Sequence, residues 1–237
     1  MLQTQITVPS REILWNIESP LNLFFLYGLL IPTMLIAAIG VFRRAELWYA
    51  GQTEPEFKTN WLTRIWQLTI WGLMQKGVAR EKKSGSIHLL IYIGFLVLLF
   101  TTTVVFIDHD LGIKIYRGNF YLLLTVLSDV LGFGLLIGCL LAAHRRYLTK
   151  EDMLHNRFAD SMILNLLSLL VVQGFILEGL RIHVTNDPWA AYSIVGLAVS
   201  KFFWSLSTES ARQIHFYMWW FHTLTVYFFI ALTPYTK

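Results

Sequence analysis

The 237-residue chain is 55% hydrophobic with a mean hydropathy of +0.53, and only 14% of its residues are Asp, Glu, Lys or Arg. That is well below the charged fraction of soluble domains and points to an integral membrane protein, so the net charge of +4 reads as a topology signal and not as a nucleic-acid footprint. The single cysteine, Cys139, excludes an internal disulfide and any iron–sulfur cluster or Cys-based zinc site held by this chain alone, which leaves seven histidines as the soft nitrogen donors.

The first twenty residues are polar and lack the apolar core of a cleavable signal peptide. A helix needs about 20 apolar residues to cross a hydrocarbon layer about 30 Å thick. The first stretch that qualifies is 21–42, and Pro32 within it is the only proline inside a span. "WLTRIWQLTIWGLMQKG" (61–77) mixes Trp with spaced polar residues and predicts an amphipathic helix lying on the membrane surface. Spans at 87–107 and 120–143 follow. The second of these contains "GFGLLIG" (Gly132–Gly138), a notch of small residues that permits close approach of a helix or room for a bulky cofactor. It also contains Asp129, which caps a neighbouring element or binds a partner subunit. The fourth span is 162–180, with Glu178 near its end and Arg181 three residues on, on the same helix face. The pair is either a structural ion pair or a functional one: a proton-handling carboxylate beside a quinone, or an arginine for a haem propionate. "WAAYSIVGLAVS" (189–200) is too short to span and reads as an interfacial or re-entrant piece; the fifth span is 214–233. The expected fold is an all-α integral membrane bundle of five transmembrane helices forming one domain over 1–237.

Thirteen of the nineteen Lys and Arg residues fall in the first and third connecting segments and at the end of the chain; six fall on the opposite side. The positive-inside rule then puts the N-terminus outside and the C-terminus in the cytoplasm, a parity that five spans satisfy.

An imidazole inside a span is costly and faces the bundle interior with a partner. His88, at the cytoplasmic end of the second span, and His222, in the fifth, are each either hydrogen-bonded to a helix carbonyl or axial ligands of haem iron. His215 shares a helix face with His222 at a rise of about 10.5 Å, too close for two separate haems, so at most one of them is a ligand; His222 is the deeper. His215 lies among aromatics near the outer interface. His109 and His183, at the outer ends of their spans, are solvated residues or second ligands, and His144 and His155 read as surface.

Taken in order, "GSIHLLIYIGFLVLLFTTTVVFID", "RRY" (Arg145–Tyr147), "GFILEGLRI" and "WWFHTLTVYFFIALTPYTK" resemble the membrane cytochrome b subunits typified by the gamma subunit of respiratory nitrate reductase. The resemblance is closer still to the version associated with heterodisulfide-reductase-like iron–sulfur proteins. It implies two haems b stacked across the membrane, with His88 as the cytoplasmic-side ligand and His222 as the outer-side ligand. Two positions depart from the pattern. Leu98 stands where the nitrate reductase subunit has a second histidine on the second span. The family's inner ligand on the fifth span would lie three residues past Lys237, so the sequence continues, or the inner haem takes another ligand or is missing. The haem count therefore stands at one or two, and His109, or less readily His183, would complete the outer site. The implied function is electron transfer between membrane quinone and an iron–sulfur and catalytic partner docked on the basic cytoplasmic loops. The quinone would bind near Glu178, Arg181 and His215, in the multi-pass setting of a prokaryotic cell membrane. The alternative is a haem-free membrane anchor, or a transporter subunit whose histidines line a proton path.

Overall fold

The structure, a computed structural model, describes residues 8–51, 60–149 and 158–236. Its helices are α1 (Pro20–Tyr49), α2 (Trp61–Gln67), α3 (Lys82–His109), α4 (Gly118–Ala143), α5 (Phe158–Thr185), α6 (Ile194–Ser200) and α7 (Thr208–Leu232); no strand occurs among the described residues. Four helices are long and apolar enough to cross a membrane: α1, α3, α4 with its π-helical extension to Thr149, and α5. Their large apolar side chains are widely exposed, including Phe24, Ile31 and Phe42 on α1 and Ile93, Leu99 and Phe100 on α3. In water such surface would drive aggregation; in lipid it is the solvated face. α7 is a fifth helix of 25 residues whose first turns are polar.

The helices overrun the apolar segments because backbone hydrogen bonding continues wherever a cap permits. Ser19 Oγ accepts from Asn22 N–H at 3.3 Å and Pro20 occupies the first helical position, so α1 begins there. Ser207 Oγ accepts from Ser210 N–H at 3.1 Å, so α7 begins at Thr208, several residues before the apolar run. Over 61–77, where the sequence predicts an amphipathic surface helix, α2 forms, is continued by a π-helical turn, Leu68–Leu73, and then ends. The 189–200 stretch becomes α6, preceded by a single 3-10 turn.

α3 packs on α4, α4 on α5, α5 on α7 and α7 on α1, while α6 lies against α4 and α5. α3, α4, α5 and α7 run antiparallel to their neighbours in this series, whereas α1 runs parallel to α7, with Leu26 beside Tyr227 and Ile36 beside Tyr235. Thr101 and Ser128 share a hydroxyl hydrogen bond of 2.8 Å between α3 and α4; Gln173 meets Thr225 at 3.3 Å between α5 and α7. Gly94 sets the α3–α4 spacing, since a Cβ there would sit 2.5 Å from the Leu131 carbonyl oxygen. The Gly132–Gly138 notch is used the same way: a Cβ on Gly138 would lie 2.8 Å from Ile91 Cγ1. The buried core, Leu135, Cys139, Leu167 and Val171, is flanked by Phe95 of α3 and Phe229 of α7. α1 attaches through side chains to its backbone: Tyr227 Oη donates to Leu26 O at 2.7 Å and Tyr235 Oη to Ile36 O at 2.9 Å.

Candidate functional site

The polar interior gathers at the end of the bundle where α3 and α5 finish and α7 begins. The residues just before α1 form a strap across this end. Gly118 N–H donates to Pro9 O at 2.6 Å, Asn16 Nδ2 donates to Arg212 O at 2.9 Å, and Ile17 is fully buried. Trp15 meets His215 edge-on, ring centroids 4.7 Å apart, and Arg212 stacks over Trp15 at 5.6 Å. His215 is thereby buried although it lies only two turns into its helix.

Beneath the strap two guanidinium groups and two carboxylates form one network. Arg181 donates to Glu178 through Nη2 at 2.8 Å and Nε at 3.2 Å, and to Asp187 at 2.6 Å. Arg11 reaches Glu178 at 3.3 Å, and Ser193 Oγ donates to it at 3.0 Å. Asp187 also accepts from Trp189 N–H at 2.8 Å. The expected pairing of Glu178 with Arg181 is therefore present within a larger tie that joins α5, the strap and the loop into α6. Tyr116, over which Arg11 stacks at 5.5 Å, and then the Glu178 carboxylate hold the Arg11 guanidinium above its ordinary pKa against the opposing effect of burial. A cleft of about 160 Å³ opens beside the network, lined by Arg11, Trp15, Arg181 and Asp187. A second, of about 330 Å³, is lined by Arg11, Asp108, His109, Lys114 and Arg117.

Asp129, ambiguous in the sequence, is a cap. Its carboxylate accepts from Val195 N–H at 2.7 Å and Gly196 N–H at 3.0 Å, the first amides of α6.

The histidines divide by depth. His88, Phe95, Thr102 and His109 recur every seven residues along α3, as His215, His222 and Phe229 do along α7. The rings of Phe95 and Phe229 lie 6.1 Å apart and fix the register of the two helices. Because the helices are antiparallel, His88 and His222 fall about 10.5 Å to opposite sides of that contact, about 21 Å apart in depth. His109 and His215 fall on the same side as His222, level with each other. His88, expected to face the bundle interior, instead lies exposed on the bundle surface, its ring stacked near Tyr92 with centroids 6.1 Å apart; Tyr92 Oη in turn donates to Leu73 O at 3.0 Å. His183 lies within the last turn of α5 with Nε2 3.1 Å from Leu206 O, so that nitrogen is engaged in the fold. His144 is exposed and His155 lies outside the described residues.

Four buried side-chain polar atoms have no hydrogen-bond partner among the described residues: Nδ1 of His109, His215 and His222, and Oε1 of Gln173. Buried polar groups are almost always satisfied, and each exception calls for a reason. An imidazole in a bundle interior with a free nitrogen suits axial ligation of a haem, which asks one or two such nitrogens of the protein. No group of three or more His, Cys, Asp or Glu able to hold a bare metal ion occurs among the described residues.

Arg11, Asp187, Ser193 and Gln173 were not singled out by the sequence. Three of these are ordinary loop or strap residues with no local signature. Gln173, a polar amide in the apolar run "LLVVQGF", did carry a signal.

No family model matches the chain, and no solved structure matches it. The chain is similar to the EtfAB:quinone oxidoreductase of Syntrophomonas wolfei, 29% identical over 240 aligned residues that cover 97% of this chain and 33% of that protein. It is also similar to the probable iron-sulfur-binding oxidoreductase FadF of Bacillus subtilis, 28% identical over 191 residues, 78% of this chain and 26% of that one. The chain thus spans about a third or less of the length of these curated relatives.

Proposed function

We propose that this chain is a haem b-containing membrane unit that passes electrons between quinone and an iron–sulfur partner of a respiratory oxidoreductase. The observation that carries the proposal is His222 itself, an imidazole held between packed helices whose ring makes no hydrogen bond among the described residues. A haem-free anchor gives that imidazole no reason to be there. The two relatives support the electron-transfer reading, since one is named as acting on quinone and the other as iron–sulfur-binding.

In this reading α7 is the fifth span, the strap end faces outside, the C-terminus faces the cytoplasm, and α2 lies on the cytoplasmic surface of a prokaryotic cell membrane. His222 holds haem at the outer level and His88 at the inner level. Their separation of about 21 Å suits two centres at different depths. A haem bound there supplies one-electron transfer through a layer whose low dielectric otherwise blocks it. The chain's own residues set the surroundings. Phe95 and Phe229 fill the interior between the two levels, and the strap with the Arg11–Glu178–Arg181–Asp187 network closes the outer end against water. Quinone would bind at that end, where the cleft beside Arg181 and Asp187 lies near His215. His183 Nε2 is taken by Leu206 O, and His109 lies about 10.5 Å from His222 in depth with Nδ1 3.6 Å from the Asp110 carboxylate, so neither faces iron at the level of His222.

The test is a reduced-minus-oxidised optical spectrum of the purified membrane protein with haem quantified per chain. A b-type signal at one or two haems per chain is expected; a haem-free protein of intact helicity overturns the proposal.

A further inference from the structure

Gln173 is the most deeply placed uncharged polar side chain of α5, 2% exposed. Its Nε2 donates to Thr225 Oγ1 at 3.3 Å, and Thr225 Oγ1 donates its only proton to Phe221 O at 2.7 Å. That chain of bonds settles the amide's direction. Thr225 has no proton left to give, so Gln173 must turn its NH₂ toward it, and Oε1 is aimed elsewhere with no partner. His222 lies three residues before Thr225 on α7, and residues at that spacing have Cβ atoms about 5–6 Å apart on one helix face. Its Nδ1 is also buried and unpartnered. Two orphaned atoms therefore lie on facing helices within about one turn of each other. One can only accept; the other, in neutral imidazole, donates in one tautomer and accepts in the other. Left apart, each bears the desolvation cost of an unmade hydrogen bond.

We infer that Gln173 is the positioning residue of His222: its amide oxygen takes the Nδ1 proton through one buried water, and so holds the imidazole in the tautomer whose Nε2 lone pair is free for iron. An acceptor on the distal nitrogen is the usual means by which a protein fixes the orientation and basicity of a ligating histidine. A water suits the place, because such waters settle where otherwise unsatisfied buried polar groups face one another. Ser, Thr or a backbone carbonyl could play this part elsewhere. Here Thr225 is committed to Phe221, and Gln173 is the acceptor left over.

The inference rests on the haem reading above, and the experiment separates the two. Haem affinity and midpoint potentials are measured in the intact membrane protein for the wild type, Gln173→Leu and Gln173→Glu. Gln173→Leu removes the acceptor at similar volume. It is expected to weaken haem binding at the outer level by about 10- to 100-fold and to raise that haem's potential. Gln173→Glu keeps an acceptor oxygen and is expected to retain the haem with an unchanged or lowered potential. Wild-type affinity and potentials in both variants, or equal shifts in the same direction in both, overturn the role of Gln173 while leaving the haem reading intact. A wild-type protein that binds no haem overturns the haem reading itself.

Discussion

Replacing Glu178 by Gln tests whether the strap-end network is a mutually dependent charge cluster. Glu178 is the hub: it takes two bonds from Arg181, one from Arg11 and one from Ser193. The Arg181 and Glu178 side chains are 11% and 19% exposed, whereas Arg11 is 30% exposed. Glu178→Gln keeps the shape but leaves two guanidinium groups with Asp187 as the one carboxylate between them. Breaking a buried pair from one side costs roughly 3–5 kcal/mol, because the remaining charge stays desolvated. Arg11→Gln removes a half-exposed partner and should cost about 0–1 kcal/mol, the range for exposed pairs. The double variant Glu178→Gln/Arg181→Gln removes one charge of each sign and leaves Arg11 with Asp187. It should cost less than the sum of its single changes, since these residues touch and are not additive. The assay is reversible denaturant or SDS unfolding in detergent micelles, followed by far-ultraviolet circular dichroism. If Glu178→Gln destabilises no more than Arg11→Gln, or the double variant is simply additive, the network is not a coupled cluster and the reasoning fails.

Asp129→Ala strips both acceptors from the first amides of α6 at a site only 6% exposed. The loss should be about 2–4 kcal/mol, from two charge-assisted bonds at about 1.5–3 kcal/mol each less the relief of no longer burying a carboxylate; unfolding in the same micelles reads it, and a change under about 0.5 kcal/mol would be at odds with a cap. His88→Ala and His222→Ala, about 21 Å apart in depth, should each remove a different part of the b-type absorbance and leave the rest at its original potential. Loss of the same signal in both variants would mean that they serve one centre.

Much of this architecture is local and could be read directly. The spans at 21–42, 87–107, 120–143 and 162–180 all fall within long helices, because an apolar run of that length has no alternative in lipid to satisfying its own backbone. Glu178 and Arg181 also pair as their spacing dictates. The ends of the helices were less legible, since caps such as Ser207 prolong a helix past its apolar run and change no hydropathy. Only the tertiary structure could bring Arg11 to Glu178 across 167 residues, turn Asp129 into the cap of a helix 66 residues away, and set α3 against α7 through Phe95 and Phe229. Hydropathy specifies which segments enter the bilayer. It carries almost no information on rotation or register within it, because lipid solvates every apolar face alike and only side-chain packing and buried polar contacts distinguish one arrangement from another.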